Sequence, residues 1–130
     1  MNLRKIQLAD NVILATIIRS AFDDYDAPKT GTVYSDPTTD DLYTLFKTER
    51  SVLWVAEVDD VIAGCCGIYP TPGLPSDYAE LVKFYLSKAT RGQGVGRALM
   101  EQCTQSAIEL GYTHLYLESL PQFSNAVSIY

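Results

Sequence analysis

Apolar residues recur along this chain at two spacings, one suited to strands and one to helices, and the switches between them mark the elements. Leu3, Ile6 and Leu8 predict a short opening strand. Asp10 then offers a helix cap, and Val12, Ile13, Ile17, Ile18 and Phe22 follow as the apolar face of a helix. From Asp23 to Thr39 the chain turns to Asp, Pro, Gly, Thr and Tyr, a long loop of the kind that carries function rather than core. Asp40 and Asp41 begin a second helix through Leu42, Leu45 and Phe46. Two β-rich runs, Val52 to Val58 and Val61 to Tyr69, meet at Asp59-Asp60 and predict an antiparallel hairpin.

The second half continues the alternation. Pro70 to Pro75, with Gly73, is a loop, and Ala79 to Leu86 is a buried strand. Val95, Leu99, Cys103, Ala107 and Leu110 mark one helix, which Gly111 stops with a left-handed cap. His114 to Glu118 is a further strand, and Asn125 to Tyr130 begins another helix. With no repeat, low-complexity segment or linker, residues 1–130 form one α/β domain whose sheet has mixed strand directions. At 130 residues, 47% of them apolar, the chain is long enough to bury a core.

Charge narrows the partners. A net charge of -6 argues against a nucleic-acid footprint and favours a cationic small molecule or a basic peptide. The acids concentrate in residues 1–60, eleven against six bases, whereas residues 61–130 hold five against four. Within that balanced half Lys83, Lys88, Arg91 and Arg97 crowd a short stretch suited to an anion. Cys65, Cys66 and Cys103 sit in apolar runs and read as core, and with one histidine they make no metal-ligand cluster. Met1 to Leu8 lacks a leader's apolar core, and Val12 to Ile18 is too short to span a bilayer, so a cytoplasmic protein without membrane contact is expected.

The chemistry concentrates in Arg91-Gly92-Gln93-Gly94-Val95-Gly96, placed between a strand and the start of a helix. Backbone N–H groups there can converge on one point, glycines let an anion approach, and the helix dipole adds positive potential: the requirements of a phosphate site. The pattern alone also fits an unliganded turn. A dinucleotide fold would place it in an N-terminal strand-helix-strand unit, whereas here four strands and two helices precede it.

Glu80 to Leu86, a four-residue bridge, and then Arg91-Gly92-Gln93-Gly94-Val95-Gly96-Arg97-Ala98-Leu99-Met100 resemble the acetyl-CoA signature of the GNAT N-acetyltransferases, Q/R-x-x-G-x-G/A. The resemblance is close over residues 79–130 and extends to the first half in element order. It implies a mostly antiparallel twisted sheet flanked by helices, with a fourth and a fifth strand that splay around acetyl-pantetheine. The implied acetyl-CoA contacts are Phe84, Tyr85 and Leu86 on the strand, with the N–H of Phe84 on the thioester oxygen. Arg91, Gly92, Gln93, Gly94, Val95, Gly96 and Arg97 are implied around the pyrophosphate. No metal is implied.

An acceptor amine must lose a proton before it attacks, so a base is expected. Glu80, eleven residues before Arg91, stands where the histone-modifying members of the family carry theirs; Asp24, Asp26 and Glu118 are reserves. Tyr130 resembles the family's tyrosine that assists the departing thiolate, and Asn125 a CoA contact. That match departs in spacing, because Asn125 precedes Tyr130 by five residues where the family has six and Ser124 sits here.

The loop residues Asp23, Asp24, Tyr25, Asp26 and Tyr34 are suited to a cation with an apolar stem. The expected activity is acetyl transfer to a primary amine of a small molecule or peptide in a ternary complex. An acyl-CoA-binding or sensing module without turnover is the alternative, because the family's last strands are expected to be missing after Tyr130. The strand at His114 to Glu118 would then present an open edge that a second copy covers, giving a homodimer.

Overall fold

The computed structural model describes residues 1–117. Five strands, β1 Asn2–Lys5, β2 Val52–Val58, β3 Val61–Tyr69, β4 Tyr78–Leu86 and β5 His114–Leu117, lie side by side in chain order. The first four are antiparallel neighbours and β5 runs parallel to β4, the mixed and mostly antiparallel α/β sheet expected. The helices are α1 Asn11–Asp24, the single turn α2 Leu42–Leu45, and α3 Val95–Glu109. The β2–β3 hairpin turns at Asp59 and Asp60, both left-handed (φ +52° and +64°), as a tight two-residue turn requires.

Two apolar clusters sit on the sheet's opposite faces. Leu14, Ile18 and Phe22 of α1 pack with Leu42 and Phe46 on Leu53, Val55 and Cys65. On the other face Val95, Leu99, Cys103 and Ala107 of α3 pack on Ala56, Cys66, Ala79 and Leu81. Trp54 Nε1 donates to the buried Ser106 Oγ at 2.8 Å, which sets α3 over β2. Gly64 and Gly67 of β3 leave no room for a Cβ: one at Gly67 would lie 2.7 Å from the Val52 carbonyl, and one at Gly64 would strike that of Tyr85.

Two sequence expectations are corrected around α1. Val12 and Ile13 are not on the buried face; they are 76% and 49% exposed, while Leu14 and Ala15 take the core positions with Ile17, Ile18, Ala21 and Phe22. Asp10 occupies the position before α1, yet its side chain does not cap it. A short 3₁₀ turn over Leu8–Asp10 points the carboxylate back toward β1. There it accepts both terminal nitrogens of Arg4 at 2.8 and 2.9 Å and the Gln7 N–H at 2.7 Å. Arg4 also reaches Glu57 at 2.9 Å, so the trio ties β1, β2 and the entry to α1 together.

Burial pushes the Asp10 carboxyl up, but the Arg4 guanidinium and the Gln7 N–H outweigh it and hold the group below the usual carboxylate range. Asp10→Asn is therefore expected to cost about 2–3 kcal/mol at neutral pH, the range of a largely buried charge-assisted network. A group whose folded-state pKa is depressed stabilises above its unfolded value, about 3.9, and loses that contribution as pH falls through the folded value. Urea unfolding of both proteins across pH should thus show the gap at neutrality closing in acid. An equal gap at every pH would mean that the carboxylate's charge is not the source.

Candidate active site

The approach to α3 turns on two left-handed glycines, Gly92 (φ +79°) and Gly94 (φ +83°), the latter at the cap position. A Cβ at either would meet nothing within 4 Å, so the backbone conformation selects glycine and the space in front of both is open. The first bond of the helix runs from the Ala98 N–H to the Gly94 carbonyl at 3.1 Å. The N–H groups of Val95, Gly96 and Arg97 in the first turn are consequently left without acceptors inside the helix. Gly96 is glycine for a different reason: a Cβ there would come within 3.0 Å of the Phe84 ring and 3.2 Å of the Leu86 side chain. Its absence lets the helix start lie directly on β4.

The basic side chains of this stretch go to separate partners. Arg91 donates to Asp24 and to the Leu86 carbonyl, each at 3.1 Å, and lies over the Tyr25 ring at 4.9 Å, joining the end of α1 to the loop before α3. Arg97 pairs with Glu101 one turn along α3 at 3.2 Å, and Lys88 is exposed. Gln93 Nε2 donates back to the Ala89 carbonyl at 2.8 Å, bracing the turn.

On β4, pairing with β5 runs from Tyr78 opposite His114 to Leu81 opposite Leu117. From Val82 to Leu86 the strand has no partner on that side among the described residues, and this is the stretch that faces the start of α3. It also contains a bulge. Cys65 pairs with Tyr85 and Gly67 with Val82, so Lys83 and Phe84 together stand opposite Cys66. Lys83 takes a left-handed conformation (φ +55°), which costs a residue with a β-carbon roughly 1–2 kcal/mol.

Buried thiols serve the bulge: Cys65 Sγ donates to the Lys83 carbonyl at 3.1 Å and Cys103 Sγ to the Cys66 carbonyl at 3.2 Å. Burial pushes the Cys65 thiol up to about 12, so Cys65 is a hydrogen-bond donor and not a nucleophile. Past the bulge Phe84 and Leu86 face α3, while Tyr85 faces α1, its ring 6.0 Å from that of Phe22. Burial also raises the Tyr85 phenol above its ordinary range, so it stays neutral.

Glu80 is half-buried, opposite Tyr69 on β3 and Tyr116 on β5, and accepts a hydrogen bond of 2.6 Å from Thr71 Oγ1. Lys83, also half-buried, lies within electrostatic reach of Glu80 and Asp36. The end of α1 and the loop from it to α2 spend most of their carboxylates on their own chain. Asp23 pairs with Lys29, Asp24 with Arg91 and Asp40 with Arg19, and Asp36 caps the turn over Pro37–Asp40 through Thr38. Glu118, Asn125 and Tyr130 lie outside the described residues, among which β5 is the last strand of the sheet.

Residues 17–130 match the Acetyltransferase (GNAT) family. The chain belongs to that family. The uncharacterised N-acetyltransferase YjgM of Escherichia coli K12 is 32% identical over 129 residues, which cover 98% of this chain and 77% of that protein. N-acetyltransferase 8B of Rattus norvegicus is 35% identical over 82 residues, 62% of this chain but only 37% of its own length. In structure, a GNAT-family acetyltransferase from Staphylococcus aureus superposes with a TM-score of 0.84 at 17% identity, covering 99% of this chain and 79% of the other. YncA of Salmonella typhimurium, a putative acetyltransferase solved with acetyl-CoA, gives 0.82 at 18% identity over 99% and 75%. At such identities these likenesses establish the shared GNAT fold.

GNAT membership makes the chain an acetyltransferase by family. Sequence reasoning singled out Glu80 and the glycine turn but missed the Thr71 contact, made across the loop between β3 and β4, and the Arg91–Asp24 pair, which joins residues far apart in the chain. Lys83 did leave a signal: a lone charge in the otherwise apolar run from Leu81 to Leu86. Among the described residues no helix is long and apolar enough to cross a membrane, and no group of three or more His, Cys, Asp or Glu is placed to hold a metal.

Proposed function

We propose that this GNAT domain transfers the acetyl group of acetyl-CoA to a primary amine of a small molecule or peptide, by direct attack in a ternary complex. One observation carries this reading: the open turn of Gly92 and Gly94 at the start of α3 adjoins the stretch of β4 that, among the described residues, has no partner on the β5 side. The N–H groups from Gly92 to Arg97 suit a pyrophosphate, and the edge of β4 from Val82 to Leu86, without a β5 partner among the described residues, suits the amides of pantetheine as a strand would. That YncA was solved with acetyl-CoA lends support by likeness of fold.

The thioester supplies the activated acetyl group. Within the chain, the N–H of Phe84 at the bulge is assigned to the carbonyl oxygen that gains charge. Glu80 is assigned to the proton that the amine must lose, held toward its task by Thr71. Calorimetry with CoA and release of free thiol from acetyl-CoA against an amine panel test the two halves separately. Binding with amine-dependent thiol release supports the enzyme, binding without release supports an acyl-CoA-sensing module, and absence of binding removes both.

A further inference from the structure

Among the described residues the half-buried lysines and arginines are paired with carboxylates, with one exception. Arg4 is paired with Asp10 at 2.8 Å, Arg19 with Asp40 at 2.6 Å and Arg91 with Asp24 at 3.1 Å. Lys83 has no carboxylate within 4.0 Å among the described residues, although it is half-buried and sits on the bulge beside Phe84. Its backbone is held left-handed, a strained conformation for lysine that glycine would relieve. Asp36 and Glu80 lie within electrostatic reach but are engaged elsewhere, Asp36 by the N–H and hydroxyl of Thr38 at 2.9 Å and Glu80 by Thr71 at 2.6 Å.

Glu80 and Lys83 therefore form a pair of opposite charges on one strand, three residues apart, that do not contact each other. Three residues of extended chain span about 10 Å, less across a bulge. A molecule carrying an ammonium and a carboxylate close together can lie between them.

We propose that the acceptor is an amino-acid-like zwitterion, whose amine is received by Glu80 and whose carboxylate is bound by the ammonium of Lys83. The inference rests on the acetyl-transfer reading above and adds a requirement on the acceptor: a carboxylate within a few bonds of the reacting nitrogen. Burial lowers the Lys83 pKa, and Asp36, Cys65 and Glu80 oppose that fall. A ligand carboxylate would complete the neutralisation that the other half-buried cations already have.

The test compares α-amino acids with their own α-carboxamides, which keep the amine and side chain and lose only the charge. With acetyl-CoA saturating, the wild type should favour the acid over the amide by about tenfold or more in kcat/KM, mainly through KM, the size expected of a charge-assisted hydrogen bond. Lys83→Gln should bring that ratio close to one, and Lys83→Arg should largely restore it, with circular dichroism confirming that both variants fold. Equal use of acids and amides by the wild type, or a ratio unchanged in Lys83→Gln, would overturn the assignment while leaving acetyl transfer intact.

If no amine is acetylated, the acetyl-transfer reading itself fails. The zwitterion site is then judged by thermal shift with CoA present. Stabilisation by the acid, but not by the amide, that disappears in Lys83→Gln upholds it, and any other pattern rejects it.

Discussion

Gly94→Asp is expected to weaken CoA binding by about a hundredfold or more while leaving the fold in place. Gly94 sits at φ +83°, a conformation that aspartate adopts more readily than most residues with a side chain, and a Cβ there meets nothing within 4 Å. Aspartate is also a favoured residue before a helix, so α3 has no reason to unravel. The carboxylate would, however, stand where the N–H groups of Val95, Gly96 and Arg97 emerge and would compete for them with a bound pyrophosphate. Two negative charges a few ångströms apart in a partly desolvated site repel by several kcal/mol at an intermediate dielectric, which is the source of the expected loss. Gly94→Ala separates charge from conformation: it carries the left-handed strain, about 1–2 kcal/mol, without the repulsion. Calorimetry should rank wild type, Gly94→Ala and Gly94→Asp in falling affinity. Equal affinity for wild type and Gly94→Asp would remove the pyrophosphate from this turn.

Elements were legible where a local rule decides them. The hairpin at Asp59-Asp60, the strand before Leu86, and the helix stopped by Gly111 follow from alternation, turn residues and capping, each read within a few positions of the chain. The phase of α1 was not. Val12 and Ile13 are as apolar as Leu14 and Ile18, and only the way the 3₁₀ turn at Leu8–Asp10 leads into the helix rotates them to solvent. Asp10 shows the same limit from the polar side. Its chemistry suits a cap, and a guanidinium six residues earlier in β1 draws it the other way.

The site divides along the same line. Gly92, Gly94 and Gly96 were readable as a group because phosphate-binding turns select glycine locally, although the structure assigns Gly96 to packing on Phe84 and the other two to backbone conformation. The register of β3 against β4 was not readable, since the bulge at Lys83 and Phe84 arises from pairing residues some fifteen to twenty positions apart. Without that register, Lys83 looks like one member of a basic cluster. With it, Lys83 becomes a half-buried charge on the bulge of β4, set apart from the exposed Arg97.

Glu80→Gln is expected to lower turnover by about a hundredfold at neutral pH and by progressively less as the pH rises, with CoA affinity unchanged. The sign follows from the acceptor. A primary amine such as that of lysine has a pKa of about 10.4, so near neutrality almost all of it is protonated and a base must take the proton. General-base assistance is worth roughly 10²–10⁴-fold where it is needed. As the pH approaches the amine's own pKa, the solution supplies free amine and the missing carboxylate matters less. Glutamine keeps an oxygen that can accept the 2.6 Å bond from Thr71, so the substitution removes the proton acceptor with little change to the local packing. Thr71→Val provides the complementary measurement: it leaves the carboxylate but frees its orientation, and its smaller loss should change little with pH. Rates with a single amine from acid to alkaline pH, alongside CoA affinities for each variant, check the assignment. A Glu80→Gln deficit of constant size across that range would place Glu80 in the structure of the site and outside its proton transfer.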